Sequence, residues 1–202
     1  MKRFFSLAAS VTLGTGLAVV APASQAADFT IDSNHTDVVF MLNHLGYSNT
    51  FGSFETVEGE FSFDPAAPEG ASVQLTIRAD SIDTNHDKRD SHLRSPDFLN
   101  TREFPEITFE STDIEVTAEK TGKLTGDLTL HGETHPVTLD VTFNKMAPHP
   151  LPQYNEVLTA GFSARGTIKR SKWGVGKFAP MVGDEMKLFI EVEGHKTSGS
   201  SQ

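Results

Sequence analysis

The chain contains no cysteine. A fold without disulfides is held by burial of apolar surface alone, which a domain of roughly 100–200 residues can supply. Aromatic residues other than phenylalanine are scarce: one tryptophan and two tyrosines. Basic residues are outnumbered, 17 against 27 acidic ones, for a formal net charge of −10. That balance argues against nucleic acid as a partner, because a phosphate backbone calls for clustered positive charge. After Pro22 no segment approaches the roughly 20 apolar residues of a membrane-spanning helix. There is no internal repeat and no low-complexity block. A Gly-x-Ser-x-Gly turn, which would present a nucleophilic serine, is missing too.

What is present begins with an export signal. Lys2 and Arg3 precede a mostly apolar or small run over residues 4–20, and Ser24-Gln25-Ala26 is a small-x-small cleavage site before Ala27. Removing residues 1–26 takes away both of those cations and no acid, so the net charge becomes −12. The expected organisation is a signal peptide (1–26), one domain (27–195) and a polar, disordered tail (196–202), with release into the periplasm.

From residue 28 apolar and polar residues alternate with the period of a strand. Val38, Phe40 and Leu42 belong to a run that is apolar on both faces. Residues 50–64 read as one long strand with Val57, Phe61 and Phe63 on one face. Phe54 is out of phase, so Gly52 or Gly59 would mark a bulge. Val73, Leu75 and Ile77 point inward next, then Ile107 and Phe109, with Ile114 and Val116 on a separate strand. Leu124, Leu128 and Leu130 turn at Gly132-Glu133 and return as Val137, Leu139, Val141 and Phe143. Three prolines stiffen the loop 146–155. Leu158, Ala160, Phe162, Ala164 and Ile168 follow, then a longer excursion over 171–183, then Met186, Leu188, Ile190 and Val192. This pattern gives an all-β chain of about eight or nine antiparallel strands, one face apolar throughout. Strands of about 9–15 residues favour a tilted barrel over a sandwich.

Residues 81–105 break the alternation. Thr84 and Asp87 have the spacing of a capping box, and Asp90 and Arg94 stand four apart on a helix face. Ser95-Pro96-Asp97 reads as a second helix start. Two short helical turns, broken at Pro96, are expected to cover one part of the barrel near residues 85–101.

Fifteen phenylalanines, thirteen of them beyond Phe4 and Phe5 of the signal, raise the question of the interior. An eight-stranded barrel is either filled by its own side chains or leaves room for one small ligand, and periodicity leaves both open. Phenylalanine has no polar tip, so a lumen lined by it would select by shape and apolarity, as suits an isoprenoid or unbranched hydrocarbon. Burying ~500 Å² of such a tail is worth on the order of 12 kcal/mol before the costs of binding. The candidate ligand contacts are Val38, Phe40, Leu42, Phe51, Phe54, Phe61, Phe63, Leu75 and Ile77. They continue with Leu93, Phe98, Phe109, Leu128, Leu130, Leu139, Phe143, Phe162, Ile168, Trp173 and Phe178. Trp173, beside Gly174 and Gly176, also reads as a packing plug at a barrel corner.

Five motifs occur in register. They are Asn34-His35-Thr36 with His44-Leu45-Gly46; Asp87-Lys88-Arg89-Asp90-x-His92-Leu93-Arg94; Phe104-Pro105-x-Ile107-Thr108-Phe109; Gly126-Asp127-Leu128-Thr129-Leu130-His131-Gly132; and Val182-Gly183-Asp184-Glu185. In this the chain resembles the YceI family of exported, lipocalin-like proteins across nearly the whole mature length. The resemblance implies an extended antiparallel barrel holding a polyisoprenoid or similar amphiphilic lipid, of quinone or polyprenol type, closed near one end by the helical stretch. It implies no established reaction and no cofactor beyond the lipid.

The polar candidates weigh less. His131 and His135 flank a tight turn, and His86 and His92 lie on the helical stretch; neither pair has the spacing of a zinc site, so no metal is expected. Lys88, Arg89, Arg94 and Arg102 read as salt-bridged to Asp87, Asp90, Asp97 and Glu103, with Arg89 and Arg94 as candidates to meet a lipid head group. The expected protein is a carrier or sequestering protein with transient membrane contact, and an exposed edge strand would support a homodimer. Two alternatives are an enzyme using His35, His44 or His92 as acid–base groups, and a ligand-free, stress-related interaction module.

Overall fold

The period-2 alternation is realised as strand after strand, each burying one face. A computed structural model describes residues 26–197; the signal expected over 1–26 lies, but for Ala26, outside the described residues, as do residues 198–202. The strands are β1 (Ala27–Ile31), β2 (Asp37–His44), β3 (Ser48–Phe54), β4 (Val57–Phe63), β5 (Ser72–Arg78) and β6 (Ile82–Asp83). After helix α1 (Asp87–Leu93) come β7 (Glu106–Ala118), β8 (Thr121–Leu130), β9 (Glu133–Pro148), β10 (Leu158–Lys169) and β11 (Val182–Lys196). All pairings are antiparallel, and β1 returns to pair with β11, so the sheet closes.

The barrel has eight staves, two of which are broken. β1 and β2 together run alongside β11: Phe29 faces Lys196 and Ile31 faces Gly194, while Val38 faces Ile190 and His44 faces Val182. β3 and β4 form the next stave, β3 against β2 and β4 against both β1 and β5. The single strand expected over 50–64 is therefore two. Their break at Glu55 and Thr56 is held by Ser81, whose carbonyl and hydroxyl accept the amides of Glu55 and Thr56 at 3.1 Å each. That corner shifts the side-chain phase, which is why Phe54 and Val57, three apart, both turn inward. Conversely, Ile107 through Val116 lie on one strand, β7, with irregular register between Ser111 and Asp113 and between Val116 and Ala118.

Of the two helical turns expected, one is a helix. His86 caps it, its ring accepting the Arg89 amide at 3.2 Å. Thr84 is not the cap, because its hydroxyl and amide both go to Asp90. Residues 95–104 form hydrogen-bonded turns instead, with Phe98 and Asn100 amides bonded to Ser95. No helix among the described residues is long and apolar enough to cross a membrane.

The core has two layers. Where the chain ends meet, Phe29 and Phe61 stack at 4.8 Å, and Phe162 stands edge-on to Phe61 and Phe63 at 5.5 and 5.0 Å. Gly194 makes this stack feasible: a side-chain carbon there would lie 2.4 Å from the Phe61 ring. β11 extends through Lys196, and the Thr197 amide donates to the Asp28 carbonyl at 2.8 Å, so the strand reaches into the segment expected as tail. The second layer, aliphatic, runs toward α1 through Val38, Ile77, Ile107, Leu130, Leu139 and Ile190.

Candidate ligand-binding cavity

The inward side chains do not meet across the whole barrel. They enclose an apolar cavity of about 640 Å³, within the ~300–1,000 Å³ usual for small-molecule sites. Val38, Phe40, Leu42, Phe54, Phe61, Phe63, Leu75 and Ile77 stand on its wall. So do Phe109, Leu128, Leu130, Leu139, Phe143, Phe162 and Ile168, with Leu93, Phe98 and Phe178 toward α1. Alternation alone reaches further wall residues that were not singled out, among them Val73, Leu124, Val141, Ala164, Leu188 and Val192. At the other end the lining extends to Pro65, Pro68 and the β7–β8 turn at Glu119 and Lys120.

Three candidates lie elsewhere. Phe51 is 56 % exposed on the outer face of β3, because residues three apart on one strand cannot share a face with Phe54. Trp173 is fully buried but packs in the core, its indole N–H donating to the Leu128 carbonyl at 3.0 Å and its ring edge-on to His135 at 5.2 Å. Arg94 tethers α1 to the preceding strand, donating to the carbonyls of Asp80 at 2.7 Å and Ile82 at 2.6 Å. Arg89 does line the cavity. Its Nε donates to the Thr84 hydroxyl and its Nη2 to the Thr84 carbonyl, both at 2.7 Å.

The expected salt bridges of Lys88, Arg89, Arg94 and Arg102 with neighbouring carboxylates do not form among the described residues. For Arg89 the hydroxyl and carbonyl of Thr84 take their place, and for Arg94 the carbonyls of Asp80 and Ile82. Asp90, almost fully buried, accepts the Thr84 amide at 3.0 Å and the Thr84 hydroxyl. Burial alone would raise its pKa, but these bonds and the nearby Arg94 charge hold it below the usual carboxylate range. Thr84, Arg89 and Asp90 thus pin the start of α1 against the cavity.

α1 meets the 171–183 excursion through a chain of charges. Asp97 accepts His92 Nε2 at 3.0 Å and Lys177 Nζ at 2.5 Å. The Lys177 bond first, then that of His92, lowers the Asp97 pKa. Beneath this bridge the rings of His92, Phe98 and Phe178 cluster at 5.0–6.4 Å, all three on the cavity wall.

Arg170 gives no sequence signal and is decisive for this wall. Only 5 % exposed, it donates to four carbonyls: Gly183 at 2.8 Å, Lys177 at 3.0 Å, Val182 at 2.8 Å, and Val175. Burial lowers its pKa and the Asp184 charge opposes this, yet a guanidinium stays charged in proteins. The excursion is therefore wrapped around one cation, with Val175, Phe178 and Val182 on the cavity side.

The three histidines expected as acid–base groups are dispersed. His44 and His92 lie on the wall, but His35 bonds Asp32 at 2.7 Å away from it, so the three do not assemble into one acid–base site. His131 packs on Phe104 at 4.6 Å, and His86 is a helix cap.

The family model of the YceI-like domain matches residues 29–194. The chain belongs to the YceI family. A UPF0312 protein of Ectopseudomonas mendocina is 39 % identical over 188 residues, 92 % of this chain and 96 % of that one. The crystal structure of the Campylobacter jejuni YceI protein superposes with a TM-score of 0.70 at 31 % identity, covering 77 % of this chain and 90 % of that one. A polyisoprenoid-binding domain from Saccharophagus degradans shares the fold, with a TM-score of 0.58 at 12 % identity over 86 % of this chain and all of that one. The YceI barrel expected from the sequence is the fold found, with α1 beside one end of the cavity.

Proposed function

We propose that this protein binds the hydrocarbon tail of an isoprenoid or similar amphiphilic lipid, of quinone or polyprenol type, and carries or sequesters it in the periplasm. The carrying observation is the continuous apolar cavity that a phenylalanine-rich barrel leaves open. At ~30 Å³ per water-sized group, 640 Å³ holds roughly twenty such groups, about four isoprene units of tail. The Saccharophagus domain, which binds polyisoprenoid and has the same fold, is consistent with this reading.

Arg89 is the head-group contact in this proposal, since it lies on the wall and Arg94 does not. Access is at the α1 end, where Phe178 of the cluster with His92 and Phe98 is exposed, as are Leu45, Tyr47 and Met181. The Leu45 amide donates to the Met181 carbonyl at 2.9 Å, joining the β2–β3 turn to the excursion as one apolar rim. That rim is the transient membrane contact: it shields the tail as it leaves the bilayer. A binding protein is the reading that membership of the YceI family and the fold shared with a polyisoprenoid-binding domain support.

Mass spectrometry of organic extracts from natively purified protein is the test. One isoprenoid-type lipid per chain is the expected result. Protein that yields no lipid, and takes up none from vesicles containing polyprenol or quinone, overturns the proposal.

A further inference from the structure

A second cluster lies on the outside of the barrel, at the seam where β1 joins β11. Glu193 and His195 alternate with the inward residues of β11, and two loops fold over them. The turn 32–36 brings Asp32, and the proline-bounded loop after β9 brings His149. His195 Nε2 is buried with no hydrogen-bond partner among the described residues. It stands 3.5 Å from Glu193 Oε1 and 3.8 Å from Asp32 Oδ2, and His149 Nε2 is 3.7 Å from the same Glu193 oxygen.

These separations are too long for hydrogen bonds, which lie within ~3.2 Å. They match the donor–donor edge of a tetrahedral zinc site, about 3.4 Å for ligands ~2.1 Å from the metal. The ligand atoms of His149, Glu193 and His195 all fall within 4.8 Å of one another. Tyr154 stacks on His149 at 3.9 Å and contacts His195 at 5.2 Å, fixing both rings. Asp32 is itself oriented: it accepts His35 Nδ1 at 2.7 Å and the Asn34 amide at 3.0 Å.

We propose that His149, Glu193 and His195 bind one divalent transition metal of the zinc type, with Asp32 Oδ2, the oxygen that also accepts His35 Nδ1, facing the remaining position. Two imidazoles and a carboxylate are a borderline donor set, suited to Zn²⁺ over Ca²⁺ or Mg²⁺. The metal would clasp β11, the turn after β1 and the loop after β9, fastening the barrel where β1 and β11 pair over only three residues. Binding has one local consequence. The Leu151 amide donates to His149 Nδ1 at 3.2 Å, and a His149 that ligates through Nε2 carries its proton on Nδ1. That bond must break.

Untagged mature protein, stripped with chelator, is titrated with Zn²⁺ by calorimetry and by amide NMR. One Zn²⁺ per chain is expected, weakened at least tenfold in H149A and in H195A and unchanged in H131A. The Leu151 amide resonance should shift in proportion to occupancy. Binding that survives H149A and H195A, or no binding with an unmoved Leu151 resonance in the unaltered protein, overturns the proposal. Lipid-free and lipid-loaded protein should titrate alike, so the outcome is separate from that of the cavity.

Discussion

Replacing Arg170 with Met tests whether one buried cation organises a whole side of the cavity mouth. The substitution keeps the length and apolar stem while removing all donors to the carbonyls of Val175, Lys177, Val182 and Gly183. A buried carbonyl left without a partner costs ~1–3 kcal/mol. If the loosened excursion lets water reach two of the four, the other two set the loss, about 2–6 kcal/mol. With a urea dependence of ~2 kcal/mol per M, the unfolding midpoint falls by about 1–3 M. Amide exchange should quicken over residues 175–183 and leave the β7–β8 hairpin as it was. Arg170→Lys, which keeps the charge but gathers its donors on one nitrogen, should fall between the two. A midpoint within ~0.5 M of the unaltered protein, corresponding to ~1 kcal/mol, would refute the reasoning.

Thr84→Val removes the hydroxyl from buried Asp90 at nearly constant volume and should cost about 1–3 kcal/mol, read by chemical denaturation. Because the Asp90 pKa is depressed in the folded state, its contribution is fully present above the ordinary carboxylate pKa and is lost as pH falls through the lowered one; Asp90→Asn should flatten that acid limb in a pH series. Asp97→Asn cuts the bridge between His92 and Lys177 and should raise the rate at which bound lipid leaves, measured by transfer to acceptor vesicles, with little change in stability. Ala164→Trp fills the mid-wall of the cavity; extracted lipid should fall toward zero while the circular dichroism stays native, at an overpacking cost of about 1–3 kcal/mol. Arg89→Gln should weaken retention of an anionic lipid more than that of a neutral one; equal retention of both removes Arg89 as a head-group contact.

Alternation made the strands and most of the cavity wall readable, because a residue's parity within a strand decides its face. It failed where parity changes without a glycine or proline to announce it, as at Glu55 and Thr56, and that cost Phe51 its predicted place. Thr84 and Asp87 had the spacing of a capping box, but spacing cannot reveal that Asp90, three residues further on, claims both Thr84 donors. Arg170 was invisible for a different reason. A charged residue at a strand end reads as solvated, and the carbonyls that enclose it come from positions 175, 177, 182 and 183, whose approach is a property of the loop's path. The cluster of His149, Glu193 and His195 likewise spans 46 positions and converges only because β9 and β11 flank β10.

The pairing of residues 29–31 with 194–196 means that the first strand of the domain waits for the last. The barrel cannot close until β11 has been made, so a product truncated before that strand leaves the cavity open along its side. The same geometry sets the two ends side by side, with the Thr197 amide on the Asp28 carbonyl. A short linker could join them, and new ends opened in the loop after β9 would give a rearranged chain with the same barrel.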